Sequence, residues 1–204
     1  MGTGSGLLLR SSVAGVLALA LAASASRAAH AENADEELPR VVIQGGPAVG
    51  FLFGFYSFEN ESTVGFAGTA AVRVWRRLYL AGRYAYEDLP PHYTIDAEPG
   101  FVSNHWDVGL RYYAPNSTYA GTRNSWLFFG ELMVGATVLS HRLGDSTPNR
   151  EGTNVRVGGG VAVQVHEHAA FGVAIGFMHA FLEGERPRDE LEVFDASAFL
   201  QFQY

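Results

Sequence analysis

The chain has 204 residues, of which fourteen are basic and twenty-one acidic, giving a formal net charge of -7. This acidic balance argues against a nucleic-acid partner, which requires a basic face. Cysteine is absent, so disulfides and thiolate chemistry are excluded. Aromatic residues make up 13% and there are 24 glycines, while no apolar run reaches the roughly 20 residues of a membrane-spanning helix. The composition indicates β structure in one domain, or a barrel with appendages.

Residues 1–31 have the pattern of a secretory signal peptide. Arg10 supplies the positive flank, an apolar core runs over 13–23, and the segment ends in the small-x-small motif AHA. We expect cleavage before Glu32, with a cut after Ala25 as the alternative. The apolar core is too short to cross a bilayer as a helix. The mature chain would then keep twelve basic and twenty-one acidic residues, a net charge of -9.

Residues 32–40 form an acidic leader, whose ENADEELP run shows no hydrophobic periodicity. We expect it to be a flexible periplasmic tail. From Val41 the chain alternates between bulky and small residues as far as Tyr204. We therefore assign residues 41–204 to a single outer-membrane barrel domain.

The alternation is clearest in the last two predicted strands. Over 170–181 the odd positions are bulky and the even positions mostly small, and over 192–204 the even positions from Phe194 onward are apolar and the odd ones mostly polar. A soluble sheet with one wet face would carry many charges on that face. Here the face opposite the bulk is small or uncharged, apart from Asp195. A membrane barrel explains this pattern, since its outer face meets lipid and its inner face a narrow polar lumen.

Six further segments alternate in the same way, and each is bounded by polar or turn-forming residues. They are 41–56, 64–75, 78–87, 104–113, 125–140 and 153–165. Eight strands are an even number, as a single-chain antiparallel barrel with both ends on one side requires. The sequence therefore predicts an all-β fold, an eight-stranded antiparallel up-and-down transmembrane β-barrel.

The charged residues within the predicted strands fall on the small face, although they were not used to set the phase. Four are basic and four acidic: Arg73, Arg83, Arg111, Arg156, Glu87, Asp107, Glu131 and Asp195. An arginine facing lipid near the midplane would cost roughly 2 to 4 kcal/mol. We predict a lumen filled by an ion-pair network, with Arg83 and Asp107 as neighbours. An eight-stranded lumen is only wide enough for side chains, so free diffusion of solutes is not expected.

The bulky face and the connections indicate the orientation in the membrane. Aromatic residues gather near both ends of the strands, as in the aromatic girdles of a bilayer protein. The connections at the end that carries both termini include Arg76-Arg77 and 167–169, whereas the opposite ones span 57–63, 88–103, 141–152 and 184–190. Short turns are typical of the periplasmic side and long loops of the exterior. The segment 114–124 is an exception to this trend.

With its signal peptide, the Asn154 to Phe177 hairpin and the ending LQFQY, the chain resembles the small eight-stranded outer-membrane barrels of Gram-negative bacteria, of the OmpA-transmembrane, OmpX and opacity-protein type. The resemblance covers the whole mature chain. It implies adhesion, envelope integrity or a narrow channel. It also implies that Leu200, Phe202 and Tyr204 form the signal read by the outer-membrane insertion machinery.

Three motifs are candidates for a catalytic or ligand-binding role. The placement of His179 resembles that of the catalytic histidine in outer-membrane lipid A deacylases. The serine expected two residues later is replaced by Phe181, and the nearby Glu183 does not substitute for this nucleophile. The run 166–168 (HEH) lacks the spacing of a helical metal site and is read as a tight turn. The glycines at 158–160 are not followed by a phosphate-binding lysine and more simply leave room in the lumen.

The outer loops combine carboxylates with four arginines, which are candidates for contacts with lipopolysaccharide phosphates: Arg142, Arg150, Arg186 and Arg188. Solvated loops are the simpler interpretation. We predict an integral outer-membrane barrel with a structural or surface-interaction role, without catalysis, metal or cofactor. Its partners would be the bilayer, lipopolysaccharide, the insertion machinery and an extracellular ligand of the loops. The alternatives are a narrow channel for small solutes, a lipid acyl hydrolase, and a lipocalin-type soluble barrel, whose apolar interior would invert the observed pattern.

Overall fold

The computed structural model of the protein describes residues 38–53, 61–89, 101–115, 125–141, 150–183 and 190–204. They form eight strands, in chain order β1 (Val41–Phe53), β2 (Glu61–Trp75), β3 (Leu78–Leu89), β4 (Phe101–Tyr113), β5 (Trp126–His141), β6 (Arg150–His166), β7 (Ala169–Leu182) and β8 (Glu190–Gln203). Each strand pairs with its neighbours in sequence, and β8 pairs with β1 in an antiparallel register, which closes the barrel. The predicted fold class is thus confirmed. The described ranges contain no helix that is long and apolar enough to cross a membrane.

Two ends of the barrel are distinguished below. The termini rim carries residues 38–41 and 203–204 with the turns β2–β3 and β6–β7, and the loop rim is the opposite end. At the loop rim β2, β4 and β6 each begin three residues before their predicted starts, at Glu61, Phe101 and Arg150. The predicted strands left 61–63, 101–103 and 150–152 in the connecting loops, and most of these residues are polar, but Phe101 and Val102 are apolar. Strand pairing continues through them because it depends on backbone hydrogen bonds and not on the side chains.

The strands are strongly staggered around the barrel. Moving from each residue to its direct partner on the next strand leads once around the barrel. The residues on this path are Thr63, Gly50, Asp195, Gly176, Gly158, Glu131, Arg111, Tyr79 and Arg73. The path starts and ends on β2, at residues ten positions apart (73 minus 63). With strands about 4.8 Å apart and a rise of about 3.3 Å per residue, this stagger tilts the strands by about 40°. Residues that are distant along the paired rows therefore meet in the lumen.

The side chains point as the alternation predicts. On β5, for example, Val134 is 55% exposed while the preceding Met133 is completely buried. The exposed face of the barrel carries the large apolar side chains, and the buried face carries the charges. This is the reverse of a soluble barrel, and it matches the lipid-facing and lumen-facing surfaces of a transmembrane barrel.

Residues 38–40 differ from the free tail expected for the leader. Leu38 is 3% exposed and packs in the lumen near Val42 and Tyr79. The Tyr79 hydroxyl donates a hydrogen bond to the Pro39 carbonyl, and the Arg40 amide donates to the Tyr204 carbonyl. The chain enters the barrel across its mouth, because burial of an apolar leucine there is favourable. The predicted signal peptide and residues 32–37 lie outside the described residues.

Candidate functional site

The middle of the lumen holds a continuous chain of ion pairs. It contains six residues from five strands, in the order Asp107, Arg83, Asp195, Arg156, Glu131 and Arg111. None of these side chains is more than 7% exposed. The strand alternation placed them inside the barrel, but the stagger of the strands decided which of them touch.

Arg156 lies at the centre of this chain. Its Nε and Nη2 donate to the two carboxylate oxygens of Asp195 at 3.1 and 2.8 Å, and its Nη1 donates to Glu131. Arg111 approaches Glu131 from the other side, with Nη2 to Oε2 at 2.7 Å, and donates through Nη1 to Gln44 on β1 at 2.6 Å. Planar guanidinium groups suit such two-pronged contacts with carboxylates. The network thus ties β4, β5, β6, β8 and β1 together across the lumen.

Arg83 joins the remaining carboxylate to this network. Its Nη1 is 3.2 Å from Asp107 Oδ2, on the residue directly opposite in the β3–β4 register, and its Nη2 is 3.5 Å from Asp195 Oδ2. Glu87 is also buried, and it accepts a hydrogen bond from Thr63 at 3.2 Å. Arg73 lies half-buried near the termini rim, next to Tyr79 in the β2–β3 register. The structure therefore unites six of the eight predicted network residues and places these two at its margins.

Glycines give the arginines their room. A Cβ atom at Gly176 would collide with the Arg156 guanidinium, and one at Gly158 would come within 2.7 Å of Arg156 Nη1. Both glycines face the lumen. Gly158 thus leaves room for the network, and a Cβ at Gly160 would come within 2.7 Å of the Phe129 ring, in agreement with the prediction that the glycines at 158–160 leave room in the lumen.

Between the network and the termini rim, the lumen is filled by an aromatic cluster, which we call the aromatic plug and which consists of Tyr79, Tyr113, Phe129 and Phe199. Successive ring centroids lie 5.0, 5.9 and 6.1 Å apart. The Arg111 guanidinium carbon lies 4.2 Å from the centre of the Phe129 ring, which joins the plug to the ion pairs. Position parity puts Tyr79 and Phe199 on the inner face of their strands, but it does not show that the four rings meet. The signal was the large rings at positions where the inner face is otherwise small.

The loop-rim half of the lumen is divided between a polar and an apolar side. On the polar side, His105 Nε2 is 2.9 Å from Ser103 Oγ and its Nδ1 is 3.0 Å from Thr137 Oγ1, which accepts a hydrogen bond from Asn154. The apolar side is a buried cluster of Leu139, Met178, Ala180, Leu182, Leu191 and Val193. Within the described segments, no group of three or more His, Cys, Asp or Glu side chains is placed to hold a metal ion.

His179 lies on the lipid-facing side near the loop rim, as predicted. Its partner is Glu192, directly opposite on β8 with Nδ1 to Oε1 at 3.3 Å, and the Phe181 ring packs edge-on against it at 4.5 Å. The acid beside the histidine is therefore Glu192, which the sequence analysis did not consider. Phe181, at the place where a deacylase would carry its serine, is exposed and offers no nucleophile.

The other candidate residues lie at the two rims. The HEH run ends β6 and forms the β6–β7 turn, where the His168 ring stacks on Tyr204 at 5.7 Å. Arg150 is the exposed first residue of β6, whereas Arg142, Arg186 and Arg188 lie outside the described residues. Leu200 and Phe202 on β8, and Tyr204 directly after it, are exposed. Their role as an assembly signal stays a prediction.

No protein-family model matches the chain, and no curated protein matches it either. Among solved structures, the barrel is similar to Neisserial surface protein A, with 13% identity, a TM-score of 0.60, and coverage of 80% of this chain and 97% of that one. It is also similar to OprG of Pseudomonas aeruginosa (13% identity, TM-score 0.52, 82% and 96% covered). The attachment invasion locus protein Ail of Yersinia pestis gives 13% identity and a TM-score of 0.50, with 82% and 99% covered. The chain therefore has the fold of the small eight-stranded outer-membrane barrels.

Proposed function

We propose that the protein is an integral outer-membrane barrel with a structural or surface-interaction role, and that it neither conducts solutes freely nor catalyses a reaction. The observation that carries this proposal is the filling of the lumen. The ion-pair network and the aromatic plug occupy successive levels of the barrel, and both consist of side chains that are at most 7% exposed. What the barrel offers to its surroundings is then its lipid-facing wall and its loops.

The location in the outer membrane is part of this proposal. It is supported by the apolar exterior, by the fold shared with outer-membrane barrels, and by the signal-peptide pattern of residues 1–31. Cell fractionation tests it, together with a detergent gel run before and after boiling. We expect the protein in the outer-membrane fraction, with a heat-dependent change in mobility. Recovery in the soluble periplasmic fraction would contradict the proposal.

A narrow channel is the second candidate function. It is favoured by buried polar atoms for which the described residues provide no hydrogen-bond partner, among them Asp107 Oδ1, Asn154 Oδ1 and Gln201 Oε1. Such atoms are commonly satisfied by water. Planar-bilayer recordings separate the two functions. We expect no steady conductance from the wild-type protein, whereas steady openings that change on substitution of Arg83 or Glu131 would establish the channel.

The surface role that we propose is contact with lipopolysaccharide and with an extracellular ligand through the loop rim. The exposed Arg150 at the start of β6 and the three loop arginines supply guanidinium groups suited to phosphate. We expect Arg186→Ala combined with Arg188→Ala to reduce the lipopolysaccharide that is retained by the purified barrel. Unchanged retention would remove these two arginines from the proposal.

A further inference from the structure

The β2–β3 turn at the termini rim has an unusual backbone. Trp75 ends β2, Leu78 begins β3, and Arg76 between them has a φ of 41°. Among the described residues it is the one non-glycine with positive φ. Two-residue hairpin turns that need this conformation normally use Asn, Asp or Gly. An arginine at such a position is strained, and strain of this kind is a reason to look for a function.

The side chain of Arg76 is held at the edge of the apolar surface. Its guanidinium carbon lies 5.3 Å from the centre of the Trp75 ring, and that ring is 65% exposed. Val72 and Val74, which precede it on β2, are more than half exposed and continue the lipid-facing wall. Tryptophan is favoured at the level of lipid headgroups. The Trp75–Arg76 pair therefore lies at the edge of the apolar wall, where the hydrocarbon of a bilayer ends and the headgroups begin.

Among the described residues, the charged side chains near this pair are basic, although the whole chain is acidic. Arg40, which directly precedes β1, is exposed, and its carbonyl accepts a hydrogen bond from the Arg73 amide at 2.8 Å. Arg77 follows in the turn and donates through Nη1 to the Ala114 carbonyl at 2.6 Å. The described residues place one side-chain carboxylate at this rim, that of Glu167. It lies on the β6–β7 turn, across the barrel from the β2–β3 turn. An anion that approaches the β2–β3 turn is thus attracted by the arginines.

The exposed Arg76 guanidinium lies over the Trp75 ring, and a guanidinium held in this way can bind phosphate oxygens through its fork of N–H groups. We propose that Trp75 and Arg76 form a binding site for the phosphate of a phospholipid headgroup. The proposal rests on the proposed function, because the orientation of the barrel in the outer membrane places the termini rim in the inner leaflet. The indole contacts the upper acyl chain and glycerol region, while the guanidinium holds the phosphate.

Arg76→Asn is the decisive variant, because asparagine accepts a positive φ at least as well as arginine and the turn is kept. We would measure the temperature at which the folded gel band is lost, in maltoside micelles with and without dioleoyl phosphatidylglycerol. Wild-type protein is expected to gain a few degrees with this lipid, and Arg76→Asn to gain none. Ser62→Asn, an exposed substitution at the opposite end of the same strand, is the matched control and should keep the gain.

Three further measurements distinguish a lipid phosphate from an uncharged lipid headgroup and from free phosphate. Digalactosyl diacylglycerol with the same acyl chains lacks phosphate and should give no gain, and inorganic phosphate alone should give none. Native mass spectrometry should show fewer retained phosphatidylglycerol molecules on Arg76→Asn than on the wild type or on Ser62→Asn. The proposal is overturned if Arg76→Asn gains as much as the wild type, or if galactolipid or inorganic phosphate reproduces the gain. None of these outcomes depends on conductance, which tests the proposed function separately.

Discussion

Arg156 on β6 and Asp195 on β8 form a two-pronged ion pair across β7, with Nε and Nη2 at 3.1 and 2.8 Å from the two carboxylate oxygens. Between them on β7 lies Gly176, which is paired with Asp195 in the register. Because glycine projects no side chain into the lumen, the guanidinium can pass over β7. This two-pronged contact thus depends on a residue that takes no part in it.

Arg156→Met should strongly destabilise the barrel. Arg156 is the shared partner of Asp195 and Glu131, so its loss leaves buried carboxylates with less compensation. Removal of one member of a buried ion pair typically costs 3–5 kcal/mol. The free energy of unfolding, measured in urea with lipid vesicles, should fall by about that amount.

Two further variants test the interpretation of Arg156→Met. Adding Asp195→Asn should recover part of the lost stability, since it removes one of the uncompensated charges. Arg150→Met, an exposed arginine on the same strand, should change stability by less than about 1 kcal/mol. If Arg156→Met and Arg150→Met were equally mild, the network would not hold the barrel together.

Gly176→Ala should destabilise the barrel, and Gly82→Ala should not. The added methyl group at position 176 meets the Arg156 guanidinium, and overpacking of this kind costs about 1–3 kcal/mol. Gly82 faces outward on β3, where the nearest atom to an added Cβ is the Asp107 carbonyl at 3.9 Å. Alanine there should be neutral or stabilise by about 0.5 kcal/mol. Equal effects of the two substitutions on urea unfolding would show that the lumen has spare room.

Val134→Arg tests the direction of the bulky face. Val134 lies in the middle of β5 and is 55% exposed, so an arginine there would enter hydrocarbon. The expected loss is about 2–4 kcal/mol in vesicles, falling to about 0–1 kcal/mol for Glu151→Arg at the rim. The same two variants in a soluble barrel would differ little, since both sites would face water.

Tyr79→Phe should loosen the attachment of residues 38–40 to the lumen. The Tyr79 hydroxyl donates to the Pro39 carbonyl, and its removal leaves a carbonyl acceptor without this donor at the mouth. A loss of about 1 kcal/mol is expected. Tyr112→Phe is the matched control, because its ring faces outward on β4 and is 37% exposed. A larger loss for Tyr112→Phe than for Tyr79→Phe in urea unfolding would speak against the tie between residues 38–40 and the lumen.

The alternation of side chains predicted much of this architecture. Bulky residues at every second position of 170–181 indicated the strand and its lipid-facing side, and Met133 and Val134 took the faces that their parity assigned. The strand starts at the loop rim were wrong by three residues for β2, β4 and β6, because backbone hydrogen bonds make the pairing and the side-chain alternation does not mark where they stop. The burial of Leu38 and the pairing of His179 with Glu192 were not foreseen.

By itself the sequence determined which residues lie inside the barrel and which face lipid, since a period of two is a local property of each strand. The tertiary structure alone decided which inner residues meet. The ten-residue stagger sets Arg156 beside both Glu131 and Asp195, Arg111 beside Gln44, and four aromatic rings into one plug. Stagger arises only when the sheet closes on itself, so no single strand carries the information that fixes it.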